Sequence, residues 1–277
     1  MSRKGSLYNL LTRGSMSEDH ANYLHKLRKR NISIRLFQFV ILLSIIITWE
    51  LSARMGLINT FLMSQPAKVL EVFLKMVNNG QLYEHVGITL LENIIGFSLG
   101  TILGTIIAVL LWWSDYLYNL FEPYLVILNS IPKVALGPVI IVWMGNGPQA
   151  IIVMALLVSI VVTIMMLSSG FREVEDNKIK LLETLGASKK QILFKVILPA
   201  SIPTIFAALK VSVGLSMVGT IVGEFLVSKA GLGYLIVYGG QVFNLHLVMT
   251  SIIILSIISG LMYYLIVMLE NIIIKWD

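Results

Sequence analysis

Lys133, Lys210 and Glu224 are the first residues of this 277-residue chain to suggest chemistry, because each is a charge set inside a long apolar run. A charge held in hydrocarbon is costly, so it marks a pathway, a buried partner or a side chain reaching for the interface. Either lysine would attract an anionic group. The competing roles are pairing with a carboxylate of the same bundle and extension of the amine toward water. Glu92 and Glu122 lie nearer the ends of their apolar runs and can reach the interface.

Other chemistries find no residues to carry them. The four histidines, His20, His25, His85 and His246, show no paired spacing, so no metal site is expected. Zero cysteines remove a disulfide scaffold, a thiolate zinc site, an iron–sulfur cluster and a cysteine nucleophile. No Gly-x-x-x-x-Gly-Lys-Ser/Thr loop is present to cradle phosphates. No catalytic residue and no cofactor are therefore expected, and the chain reads as something other than an enzyme.

The elements that hold these charges are set by composition. The chain is 57% hydrophobic and 13% charged, against about a quarter charged in soluble domains. Crossing about 30 Å of hydrocarbon takes roughly 20 mostly apolar residues. Six stretches qualify, at about 34–51, 86–111, 119–144, 149–168, 204–226 and 247–269. The fold class expected is thus an all-α integral membrane protein with six transmembrane helices. Pro123, Pro132 and Pro138 interrupt the third stretch, which places it inside a bundle where neighbours satisfy freed backbone groups. Leu36 to Trp49 has the length of a signal-peptide core, yet 35 residues precede it and Glu50 stands where cleavage would occur. An uncleaved anchor is expected.

Orientation follows from Lys and Arg. With six spans, fifteen of them fall on one side, including eight in the amino-terminal tail and six between spans four and five, against four on the other. Both termini and the 169–203 loop are therefore expected in the cytoplasm. The net charge of +6 reflects this topology and contact with anionic lipid, not nucleic acid. The chain divides into a basic tail over 1–33, a membrane domain over 34–270 and a short tail over 271–277.

Two loops carry pattern. In the external segment 52–85, Val69, Leu70, Phe73, Met76 and Val77 follow Pro66 at helical spacing, predicting an amphipathic helix on the membrane surface or the bundle. In the cytoplasmic loop 169–203, Val174, Ile179, Leu181, Leu182 and Leu185 predict one short helix ended by Gly186 in a left-handed conformation. Ser188 with Gln191 three residues later predicts a capping box, and Pro199 ends the second helix. Its apolar stripe either packs on its own bundle or waits for a partner.

From Gly186 to Pro199 this loop resembles the cytoplasmic signature of ABC importer permeases: Glu-Ala-Ala, three residues, Gly, nine residues, Ile, one residue, Leu-Pro. Gly186 takes the glycine, Val196 the isoleucine, and Leu198-Pro199 the ending. Lys180, Leu181 and Leu182 occupy the Glu-Ala-Ala positions, and the nearest carboxylate, Glu183, is displaced by three residues. Gly223-Glu224-Phe225-Leu226 followed by Gly231-Leu232-Gly233-Tyr234-Leu235-Ile236 is similar to permeases for nitrate, taurine, aliphatic sulfonates and thiamine-precursor pyrimidines. Ile131-Pro132 with Leu136, Pro138 and Trp143 is similar too.

The resemblance implies a type I importer permease of a bacterial inner membrane. A second permease chain, in a homodimer, would complete the pathway, two ABC ATPase subunits would bind below, and an extracytoplasmic solute-binding protein would deliver a small solute, anionic by resemblance to the sulfonate, taurine and nitrate group. It also implies that the helix at about 174–185 is a coupling helix. Lys180, Leu181, Leu182, Glu183, Gly186, Ala187, Leu198 and Pro199 would then form the ATPase-coupling element, and Glu224 would act in structure or gating. The rival is an ATP-independent secondary carrier or channel. A carrier usually shows matching broken helices in two halves, and the broken third span has no counterpart in spans four to six.

Overall fold

The computed structural model describes residues 18–274, so residues 1–17 of the expected tail and Lys275 lie outside it. The chain separates into two compact units that meet at Leu70 and Glu71. The first holds helix α1 (Glu18–Arg54) and the short α2 (Thr60–Met63), and helix α3 (Pro66–Asn78) begins in it. The latter half of the expected tail is thus helical and continuous with the first span. Within this unit Glu50 accepts hydrogen bonds from Arg54 Nε at 2.6 Å and from the Ala67 backbone N–H at 3.0 Å.

The second unit contains α4 (Gln81–Trp113), α5 (Asp115–Ser130), α6 (Gly137–Met144), α7 (Pro148–Arg172), α8 (Asp176–Thr184), α9 (Ile202–Val227), α10 (Leu232–Gln241) and α11 (Leu245–Ile273). Among the described residues, five helices are long and apolar enough to cross a membrane. The pair α5 plus Lys133–Met144, bent by 85°, makes a sixth crossing if counted as one.

Helix direction decides that count. Gly96, Gly100 and Gly104 of α4 stand opposite Ala155, Ser159 and Thr163 of α7, in the same order. The two helices therefore run parallel, and the chain between them must return across the bundle. The bent pair makes that return. The break falls at Pro132, which holds Ile131 in an extended conformation (φ −66°, ψ 132°). Pro138 starts α6, where no donor is required, while Pro123 is carried inside α5. The placement of this span differs from expectation: α5 buries no residue in this chain, and only Gly137 and Ile140 of α6 are enclosed. The freed backbone groups are few because the helix has ended before Pro132.

Small residues explain the close packing around α7. A methyl added at Gly96 would stand 2.5 Å from Ala155 Cβ, and one at Gly219 of α9 would stand 2.7 Å from Ala155 Cα. Backbones approach this closely only where side chains are absent, which substitutes for the hydrophobic drive that lipid cannot supply. Hydroxyls add specificity between the helices: Thr163 and Ser212 share a bond of 2.6 Å, and Ser216 Oγ donates to Asn93 Oδ1 at 2.6 Å. The expected amphipathic helix forms as α3, and Val72, Phe73 and Met76 pack into a cluster with Leu232, Leu235, Ile254 and Leu255.

Candidate functional site

The segment between α7 and α9 is built from local signals. α8 ends in a Schellman arrangement. The N–H of Gly186 donates to Glu183 O at 2.9 Å and that of Ala187 to Leu182 O at 3.0 Å, with Gly186 at φ 76°. Ser188 then caps the next turn, and the reciprocal bonds of a capping box with Gln191 are both present. After Lys189–Ile192 the ladder widens into a π turn over Leu193–Ile197. Pro199 follows it inside the turn Leu198–Ala200. A proline ring collides with the carbonyl four residues earlier in a regular helix, and the π turn displaces that carbonyl. Pro199 thus lies within helical structure instead of ending it, and the chain continues through Ser201 into α9.

One face of this segment is covered by its own bundle. Val174, Ile179, Leu182, Ala187 and Leu198 pack on a core of Ala108, Leu167, Phe171, Ile192, Leu193, Ile197 and Ala208. The other face is not. Leu181 on α8 is 62% exposed, and Leu185, the capping residue four positions on, is 74% exposed. Lys180 and Glu183 are exposed beside them.

Glu224 forms a second constellation, at the opposite end of α9. Its carboxylate is buried and caps α10 from a neighbouring helix. Gly233 N–H donates to Oε2 at 2.5 Å, and Thr89 Oγ1 donates to Oε1 at 2.6 Å. Leu232 N–H donates to Thr89 Oγ1 at 2.8 Å, and Gly231 N–H to His85 Nδ1 at 2.9 Å. The leading N–H groups of α10, orphans in any helix, are thus satisfied from α4 and α9. Gly231 and Gly233 leave the space that the carboxylate occupies, since a Cβ at either would stand within 2.7 Å of it.

The three charges singled out in the sequence are not brought together. Lys210 and Glu224 are fourteen residues apart on α9, which is about 21 Å along a helix. Lys210 pairs with Glu270 of α11 at 2.9 and 3.0 Å. Lys133 lies in the turn after the break and reaches Asn129 at 3.3 Å. Sequence reading did not find the contacts of Arg172 with Asp115, of Lys189 with Trp113, or of Thr89 and His85 with α10. Their partners are 57 to 146 residues away in the chain, and no local pattern announces them. Among the described residues no group of three His, Asp or Glu is placed to hold a metal.

Comparison with known proteins decides the family. Residues 100–276 match the family described as "binding-protein-dependent transport system inner membrane component". The chain belongs to this family. It is the multi-pass permease subunit of an ABC importer, and ATP hydrolysis is the work of separate subunits. The permease is 27% identical to the putative aliphatic sulfonates transport permease protein SsuC of Bacillus subtilis, over 84% of each chain. It is also 27% identical to the formylaminopyrimidine transport permease protein ThiX of Halalkalibacterium halodurans, over 84% of this chain and 93% of that one. In fold it is similar to a chain of the MetNI methionine ABC transporter in an inward-facing conformation, with TM-score 0.63 and 22% identity over 69% of this chain and 95% of that one.

Proposed function

We propose that the permease couples to its ATPase through α8, with Leu181 and Leu185 inserted into a groove on the ATPase surface. The observation that carries this reading is the split face of α8. Ile179 and Leu182 are committed to the bundle, and the two leucines beside them are left uncovered at the cytoplasmic end. Burying two leucine side chains contributes about 3 to 6 kcal/mol, enough to hold a partner. Gly186, Ala187, Leu198 and Pro199 shape the corners of the lever, and Lys180 and Glu183 flank its contact. The departure from Glu-Ala-Ala puts a cation, Lys180, where that signature carries a carboxylate, and the larger apolar side chains of Leu181 and Leu182 where it carries alanines.

In this reading both termini and the 169–203 segment face the cytoplasm. Residues 34–270 form the permease domain, between a basic tail over 1–33 and a short tail over 271–277. Two copies of the chain enclose the pathway, and a solute-binding protein delivers a small anionic solute of the sulfonate, taurine or nitrate kind. The sulfonate relative supports that class; the pyrimidine relative argues for a wider one. Lys133, on the bent span, is the charge we assign to the solute, and Glu224 is assigned to holding α10. Closure of the ATPase dimer would draw the two α8 helices together and open the pathway outward.

The test is co-purification with the partner ATPase. Wild type is expected to retain it, and Leu181→Asp with Leu185→Asp to release it while the permease stays monodisperse. Retention of the ATPase by that variant, or solute movement by the chain alone without ATP, overturns the reading.

A further inference from the structure

Both arms of the segment that carries α8 grip one short stretch of chain, the junction of α4 and α5. Before α8, Arg172 closes α7. Its Nη2 donates to Asp115 Oδ1 at 2.8 Å, and its guanidinium carbon lies 3.7 Å from the centre of the Tyr118 ring. After α8, Lys189 Nζ donates to the Trp113 carbonyl at 2.6 Å and stands 5.7 and 5.9 Å from the Trp112 and Trp113 rings. Trp113 ends α4, Ser114 is extended at φ −142°, and Asp115 begins α5.

Each contact suits its place. The last carbonyls of a helix carry partial negative charge, which an ammonium complements. A planar guanidinium stacks on an aromatic face while its edge keeps a carboxylate. Neither contact adds much stability, because the Asp115 side chain is 84% exposed and the Lys189 contact is exposed too, and exposed pairs are weak. They do have fixed direction. The apolar contacts of Ile179 and Leu182 permit α8 to slide in small shear steps, whereas these charged contacts must travel with it or break.

We propose that Arg172 and Lys189 are positioning residues that carry a displacement of α8 to the α4–α5 junction, and thereby to the bent span formed by α5 and α6. The proposal rests on the docking of α8 to the ATPase. It makes the extended residue Ser114 the point at which the ATPase acts on the return span, in addition to the covalent route through α9.

The chain has no cysteine, so a single reporter can be placed cleanly. Ile127→Cys on α5, exposed and outside these contacts, is labelled with a bimane fluorophore. The complex with the ATPase is reconstituted, and the emission shift on MgATP with vanadate is read beside the rate of ATP hydrolysis. For Arg172→Gln with Lys189→Gln, hydrolysis is expected to stay within about twofold of wild type while the shift falls about threefold or more. Lys189→Arg, which keeps the charge, should retain the shift. Asp115→Asn provides a milder loss of the same contact, should the double variant fold poorly, and should weaken the shift in the same direction. A full shift in both loss variants overturns the proposal, as does a parallel loss of shift and hydrolysis. If the wild-type chain does not hold the ATPase, the docking reading fails first and this inference with it.

Discussion

Thr89 Oγ1 donates to Glu224 Oε1 and accepts the N–H of Leu232, so one hydroxyl on α4 joins α9 to the start of α10. Removing it strands a buried donor and half-empties a buried acceptor. Thr89→Val keeps the volume and is expected to cost about 1 to 3 kcal/mol, read as a lower thermal midpoint of the purified permease in detergent. Thr89→Ser keeps the hydroxyl and should melt close to wild type. Equal midpoints for the valine and serine variants would show that the bridge contributes nothing.

Two glycines of α10 make a sharper comparison. A Cβ at Gly233 would stand 2.7 Å from Glu224 Oε2, whereas at Gly240 nothing lies within 4 Å. Both are helical positions, where alanine is intrinsically better by about 1 kcal/mol. Gly233→Ala should therefore lower the thermal midpoint, because the cap must shift, and Gly240→Ala should hold or raise it. The reverse order would refute the account of why glycine stands beside the carboxylate.

How much of this could be read from the sequence depends on the range of the interaction. The α8 terminus was legible because Gly186, Ser188 and Gln191 are close neighbours in the chain and act on adjacent backbone groups. The glycine stripe of α4 was legible as a stripe, since Gly96, Gly100 and Gly104 repeat every four residues, but its partner Ala155-Ser159-Thr163 was not. The break at Pro132 was legible; its 85° angle and the exposure of α5 were not, because they depend on where α6 finds Leu226 and Met154. Glu224 was marked as a costly charge, yet its role as a cap for α10 needed the geometry of Thr89 and His85, more than 130 residues away. Periodicity speaks for one helix at a time.

The α8 corner yields a prediction about local order. Gly186 holds φ 76° with nothing within 4 Å of a Cβ, so an added side chain meets backbone strain without collision. Gly186→Ala should cost about 1 to 2 kcal/mol, and Gly186→Asn less, since asparagine tolerates this region. Ser188→Ala removes the capping box at about 1 kcal/mol. These losses should appear as faster proteolytic cleavage within 176–192, with little change in the midpoint of the whole bundle. A cleavage rate that ignores both substitutions would mean the corner is held by its apolar contacts alone.

From the sequence Lys210 is open to attracting an anion, to pairing with a carboxylate of the bundle or to reaching for water, and in the structure it faces Glu270 with both side chains less than a quarter exposed. A pair so placed is costly to break by halves: Lys210→Met alone leaves a carboxylate without its cation, and Glu270→Gln alone leaves the cation. Removing one partner of a fully buried pair costs about 3 to 5 kcal/mol, and partial exposure reduces this to about 1 to 3 kcal/mol. The double variant Lys210→Met with Glu270→Gln leaves neither charge and should recover most of the lost thermal stability. Uptake into vesicles separates structure from function. If the pair only holds α9 to α11, the double variant transports like wild type across a panel of sulfonates, taurine and nitrate. If Lys210 also serves the solute, stability returns in the double variant while the apparent KM stays raised, and the charge must be counted part of the pathway.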